Sequence, residues 1–122
     1  MNNLLLVFLG GGLGSIVRFG IYEFVRSNFK TVFPVATLCS NIISCIVLGL
    51  VVGIFNEKIG SNPTLRILFI AGFCGGFSTF SSFSFETVEL IRSGNTMIAI
   101  ANVLISVIVC ISLIYFLIKQ SL

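Results

Sequence analysis

Residues 71–85 read AGFCGGFSTFSSFSF. Three glycines and five hydroxyl side chains (Ser78, Thr79, Ser81, Ser82 and Ser84) are interleaved there with five phenylalanines. Gly75-Gly76 is a poor helix interior, and serine and threonine compete for backbone hydrogen bonds. The stretch therefore predicts a helix that breaks between Gly75 and Thr79. Beyond the break, Phe80, Phe83 and Glu86 or Thr87 recur along one helical face. The break matters because of its place, inside a segment apolar enough to cross a bilayer. Carbonyls and amides freed at that depth are tolerated only where protein, water or an ion satisfies them.

The whole chain belongs to the membrane class. It has 122 residues, 57% of them apolar and 9% charged, with a mean hydropathy of +1.15. A soluble domain carries about 25% charged residues, so there is too little charge here to coat a water-facing surface. A hydrocarbon core about 30 Å thick needs about 20 helical residues. Four stretches qualify, near 3–22, 35–55, 67–90 and 96–118. The first contains one charge, Arg18; the second and fourth contain none; the third contains none before Glu86. The expected architecture is all-α, one four-helix transmembrane domain over 1–122 with the third helix broken mid-span. Short connections leave no room for a soluble domain, and the first span lacks the basic n-region and A-x-A-like site of a cleaved signal peptide.

The composition also narrows the chemistry. There is no histidine and no tryptophan, which excludes any mechanism built on imidazole. The four cysteines (Cys39, Cys45, Cys74 and Cys110) lie within spans without metal-ligand spacing; they read as small packing residues. No nucleophile–base pair or phosphate loop is present, so an enzyme has no candidate residues. The carboxylates are Glu23, Glu57, Glu86 and Glu89. A proton-coupled transporter wants an ionisable group near the midplane, and only Glu86 approaches that position.

Polar residues instead fall into stripes. In the second span Thr37, Ser40, Asn41 and Ser44 follow i, i+3, i+4, i+7. Serine and threonine in such helices usually bond their own backbone, but the Asn41 amide has two donors and an acceptor that a helix cannot satisfy. It either glues helices together or lines a polar path. In the fourth span Asn102, Ser106 and Cys110 recur at i, i+4, i+8. In the first, Gly10 with Gly14 and Gly11 with Ser15 form small-xxx-small pairs that let backbones approach closely. Arg18 is either a snorkelling anchor or a charge facing a wet vestibule. What remains is a narrow path lined by neutral donors and phenyl rings. Hydroxyls and an amide NH2 favour an anion, as do ring edges, whereas ring faces favour a cation.

The blocks GGGLGSIVRF (10–19), FPVATLCSNIISCIVLG (33–49) and GFCGGFSTFSSFSFE (72–86) resemble, in order and over nearly the whole chain, the signature blocks of the Fluc/CrcB fluoride channels. The resemblance implies an antiparallel, dual-topology homodimer in the inner (plasma) membrane of a bacterium, with fluoride pores at the subunit interface. It implies a structural sodium ion at the dimer axis, held by backbone carbonyls that fall on Gly75 and Ser78, although the family usually has threonine at the latter. The family's paired pore phenylalanines fall on Phe80 and Phe83, its pore asparagine on Asn41 and the hydroxyl after the first phenylalanine on Ser81. Thr37, Asn102, Ser106, Cys110 and Glu86 complete the implied anion pathway, Cys110 standing where a hydroxyl is expected. The implied function is passive exit of cytoplasmic fluoride. The rival is a small multidrug-resistance-type proton-coupled exporter, which needs a carboxylate embedded in the first span; none lies within 1–22.

Charge counting bears on orientation. Lys58, Arg66 and Lys119 fall on one side of a four-span topology, and Arg26, Lys30 and Arg92 on the other. Lysine and arginine near span ends normally set orientation. A three-against-three balance gives no instruction unless Arg18 tips it; its sharper reading is insertion both ways, with opposed copies pairing. Extra lysines appended to either terminus are then expected to lock one orientation and abolish function, and co-expression of oppositely locked forms is expected to restore it. Reporter fusions at the termini check this: an unmodified chain found in a single orientation would refute the antiparallel pairing.

Overall fold

The computed structural model describes residues 2–54 and 62–120. Phe55, Glu57 and Lys58 lie outside them. Every regular element among the described residues is helical. Helix α1 is Asn3–Asn28. Helix α2 is Val35–Gly49, continued by a wider, π-type winding over Leu50–Ile54. The third span has two halves. Its first half, α3 (63–77), joins Pro63–Arg66, a π-wound Ile67–Cys74 and Gly75–Phe77. Its second half is α4, Phe80–Arg92. The last helix, α5, is Thr96–Lys119. Among the described residues, four helical segments (Asn3–Asn28, Val35–Gly53, Pro63–Arg92 and Thr96–Lys119) are long and apolar enough to cross a membrane.

Local chemistry explains the ends. Asn2 and Asn62 accept hydrogen bonds from Leu4 N and from Thr64 N and Leu65 N, capping α1 and α3, the latter with Pro63 in its first turn. The apolar run of α1 stops near Tyr22, yet the helix continues to Asn28. There the Ser27 hydroxyl and Asn28 amide donate to the carbonyls of Glu23 and Phe24, and Phe29 N–H donates to Val25 O. Hydropathy reads apolar length alone, so it missed this last stretch. Gly94, at φ 86°, makes the turn between α4 and α5. The third span breaks where expected: Ser78 and Thr79 are extended, and Thr79 caps α4 by accepting from Ser82 N–H.

The core is small and mixes polar side chains with apolar ones such as Phe77, Phe83 and Leu90, while the outside is apolar, the arrangement suited to lipid. Thr37, Ser40, Ser44, Thr79, Asn102 and Ser106 are buried. Leu4, Phe8, Ile16, Phe19, Ile108 and Tyr115 are exposed. With tails as apolar as leucine around them, helices are held by close packing and hydrogen bonds.

The closest approach is between α1 and α3. A Cβ built on Gly14 would strike Phe73 O and Phe77 N, one on Gly10 would strike Leu68 O and Phe73 N, and one on Gly76 would strike Gly11 O. Nothing there is a flexible side-chain tip; both walls are backbone. Gly12, on the open side of the same helix, meets nothing within 4 Å. Gly14→Ala is therefore expected to destabilise the protein by about 1–3 kcal/mol, the usual cost of overpacking, and Gly12→Ala to leave it unchanged or slightly more stable. Thermal unfolding of the two variants in detergent, followed by size-exclusion chromatography, checks the difference.

Candidate functional site

The break leaves backbone groups that must be accounted for one by one. Cys74 O accepts from Ser78 N–H (3.0 Å), from the Ser78 hydroxyl (2.9 Å) and from the Ser44 hydroxyl (3.2 Å). Gly76 O accepts from Arg18 Nε (3.1 Å) and more weakly from the Ser15 hydroxyl (3.5 Å). Asn41 Oδ1 accepts from Thr79 N–H at 2.9 Å, and Asn41 Nδ2 returns a long bond to Thr79 O at 3.4 Å. A side-chain amide from α2 thus replaces the helix at the point where it opens.

Those substitutions have a second result. In an unbroken helix Thr79 N–H would donate to Gly75 O and Ser82 N–H to Ser78 O. Here the first goes to Asn41 and the second to the Thr79 hydroxyl. The carbonyls of Gly75 and Ser78 therefore lose their helical donors, and both residues are exposed on the surface of the chain. A Cβ on Gly75 would meet only Ile70 O, at 3.9 Å. Carbonyl oxygens without a donor are the kind of ligand a hard cation prefers.

Beside the break lies a cavity of about 280 Å3 lined by Asn41 and Cys45 of α2, Ser78, Thr79, Phe80 and Phe83 of the third span, and Ser106, Val107, Cys110 and Ile111 of α5. None of the lining residues is charged. The Phe80 and Phe83 rings lie 5.6 Å apart, tilted by 41°. Phe83 is 9% exposed and Phe80 is 78% exposed, so one ring is held by the bundle and the other stands out from it.

A larger groove, about 800 Å3, runs along α1 and α4 and is lined by Ser15, Arg18, Tyr22, Arg26, Ser81 and Glu86 among others. At its edge Glu86 Oε1 accepts from Tyr22 OH (2.7 Å) and from the Thr37 hydroxyl (2.6 Å), and the two hydroxyls also contact each other. Glu86 Oε2 is buried without a hydrogen-bond partner among the described residues.

The structure thus sorts the residues singled out from the sequence. Asn41, Phe80, Phe83, Ser106 and Cys110 meet at the cavity, with Ser78 on its wall. Ser81 and Glu86 face the groove instead, and Thr37 is buried against Glu86. Asn102, 1% exposed, turns into the bundle: it donates to the Thr87 hydroxyl and accepts from Ser106, while Thr87 donates to Phe83 O. It joins α5 to α4 and is absent from the cavity lining. Arg18 lines the groove and also donates to Gly76 O of the broken helix. Asn41 combines its two alternatives, tying α2 to the break and lining the cavity. Tyr22 was overlooked, although Ser15, Arg18 and Tyr22 follow i, i+3, i+7 and so share a face. Cys45 was read as packing, yet stands one turn beyond Asn41 on the cavity wall.

Comparison with known proteins bears on the same residues. The family model described as "CrcB-like protein, Camphor Resistance (CrcB)" matches residues 5–117. A protein of Citrifermentans bemidjiense named "Fluoride-specific ion channel FluC" is 41% identical over 112 residues, covering 92% of this chain and 90% of its own length. A protein of Coxiella burnetii with the same name is 40% identical over 111 residues, covering 90% of each chain. One from Flavobacterium psychrophilum, also so named, is 36% identical over 107 residues, covering 88% of this chain and 86% of its own. The match takes in the glycine seam, the broken span and both walls of the cavity, and the chain belongs to the CrcB family.

Proposed function

We propose that this chain is a subunit of a fluoride-specific ion channel in the bacterial plasma membrane, letting cytoplasmic fluoride leave the cell passively. The observation that carries the reading is the uncharged cavity at the break, where an amide, three hydroxyls, two thiols and two phenyl rings converge. Hydroxyl and amide hydrogens and ring edges carry partial positive charge, so a small anion that has shed water can be met there without a fixed countercharge to trap it. One hydrogen of the Asn41 NH2 is spent, over a long bond, on Thr79 O; the amide has a second to offer. Relatives covering most of the chain carry the fluoride-channel name. In acidic surroundings fluoride enters the cell as neutral HF, which dissociates inside; the negative-inside potential then drives the anion out. No catalytic group is needed.

The chain acts as an antiparallel homodimer. Support comes from the balanced lysine and arginine count and from the surface that a second copy would cover: Phe80 stands out of the bundle, and Gly75 and Ser78 lie exposed beside it. A structural sodium ion belongs where the Gly75 and Ser78 carbonyls of two chains meet; its positive charge would favour anions nearby. The exporter alternative finds no support. Glu23 falls within the lengthened α1, but near its loop end and exposed.

Two substitutions test the pathway. Asn41→Asp keeps the oxygen that holds Thr79 N–H but puts negative charge on the cavity. Fluoride efflux from liposomes is expected to fall by more than about tenfold, since charge at membrane depth costs about 2.5–3.5 kcal/mol, while elution on size exclusion is unchanged. Unchanged efflux would confine Asn41 to holding the break.

Phe80→Ile is the cleaner test of the rings, because Phe80 is 78% exposed and Phe83 is built into the core. Isoleucine keeps apolar bulk and deletes the ring edge. Efflux is expected to be lost with the protein intact, and Phe83→Ile is expected to add a packing cost of about 1 kcal/mol. Full efflux through both variants would remove the rings from the mechanism and leave the channel assignment standing.

A further inference from the structure

The four cysteines are free and differ in setting: Cys74 is buried, whereas Cys39, Cys45 and Cys110 are part-buried. Asn41 to Cys45 and Ser106 to Cys110 are both steps of four residues. The faces that bring Asn41 and Ser106 to the cavity therefore bring a thiol each, one turn further along α2 and α5. Both thiols line the same cavity, one on its α2 wall and one on its α5 wall. No group of three or more metal-ligating side chains exists among the described residues, so a four-coordinate ion such as zinc is not served. Two sulfurs from opposing helices suit a soft ion that accepts two ligands.

We propose that Cys45 and Cys110 form a two-thiol binding site for a thiophilic divalent cation, mercury(II) in chemistry, set in the wall of the anion pathway. Charge selects the valence. Binding breaks two S–H bonds and forms two S–Hg bonds, and both protons leave to water without any change of oxidation state. Two thiolates and Hg2+ sum to zero, whereas a monovalent ion would leave a net negative charge at membrane depth, which is costly. The bridge ties α2 to α5 and fills the space beside Phe83. That it blocks fluoride rests on the channel reading above; that it forms does not.

The test uses the full chain in liposomes with mercuric chloride as probe, read in two ways. Mass spectrometry under non-reducing conditions is expected to find one mercury per chain with two protons displaced. Efflux is expected to fall by at least about tenfold relative to the same liposomes before mercury, and dithiothreitol is expected to restore it. Cys39→Ser should keep both responses. Cys45→Ser and Cys110→Ser should each lose the two-proton adduct, and the double variant should show no mercury effect relative to its own untreated efflux. Absence of the adduct in the unmodified chain, its survival in Cys110→Ser, or its loss in Cys74→Ser would overturn the site. A bridged chain that conducts as before would overturn its place in the pathway. A chain that moves no fluoride even untreated would refute the channel reading, while the adduct mass would still decide the thiol pair.

Discussion

A bilayer offers no water to backbone groups exposed by a broken helix, and that constraint organises this molecule. Opening the third span at Ser78 and Thr79 costs several helical bonds, and α1 and α2 supply the replacements. From α1 come Arg18 and Ser15 onto Gly76 O; from α2 comes Asn41 onto Thr79, while Ser44 adds a bond to Cys74 O, which keeps its helical donor Ser78 N–H. Those contacts need α1 to lie almost on the backbone of α3, which only residues without a Cβ allow. The glycine seam and the polar stripe of α2 therefore answer to a single demand. The break also determines what is left over, since the Gly75 and Ser78 carbonyls lose their donors because Asn41 and Thr79 claim them.

The same economy explains why polarity lies inside and apolar bulk outside. In water the burial of Thr37, Ser40, Asn102 and Ser106 would be a liability balanced by an apolar core. In lipid the cross-helix bonds of Thr37, Ser44 and Asn102 are the adhesive. In the Ser106–Asn102–Thr87–Phe83 relay the Asn102–Thr87 bond joins α5 to α4, and the chain of bonds ends on the backbone carbonyl of Phe83.

Much of the fold was legible beforehand, for physical reasons. Span number follows from apolar length, and the position of the break follows from Gly75-Gly76 followed by hydroxyl residues, which have little helical preference. Helical period also identifies which residues share a face. It does not say which helix that face meets. Asn102, Ser106 and Cys110 do form one stripe, yet Asn102 turns to Thr87 while the other two reach the cavity. Arg18 was recognisable as a charge in need of a partner, but its partner is a carbonyl 58 residues away. Tyr22 drew no notice because a tyrosine near a span end is ordinary at a membrane interface; its bond to Glu86, 64 residues on, exists only once α1 and α4 are packed. The helical end of α1 was missed because side-chain caps at Ser27 and Asn28 extend a helix without adding hydropathy.

The direction of those long-range bonds has a consequence for biosynthesis. A chain is made from its N-terminus, and early segments are in place before later ones emerge. Every helix that serves the break from outside, α1 through Ser15 and Arg18 and α2 through Asn41 and Ser44, precedes it in the chain. The unwound segment thus enters the membrane last among its partners and finds their donors and acceptors already at the right depth. A circular permutation that moved α1 behind α5 would keep every contact in the finished structure, yet it would deliver Gly76 O to the lipid before the α1 donors that meet it existed. For this bundle, the order of the helices along the chain is also an order of safe assembly.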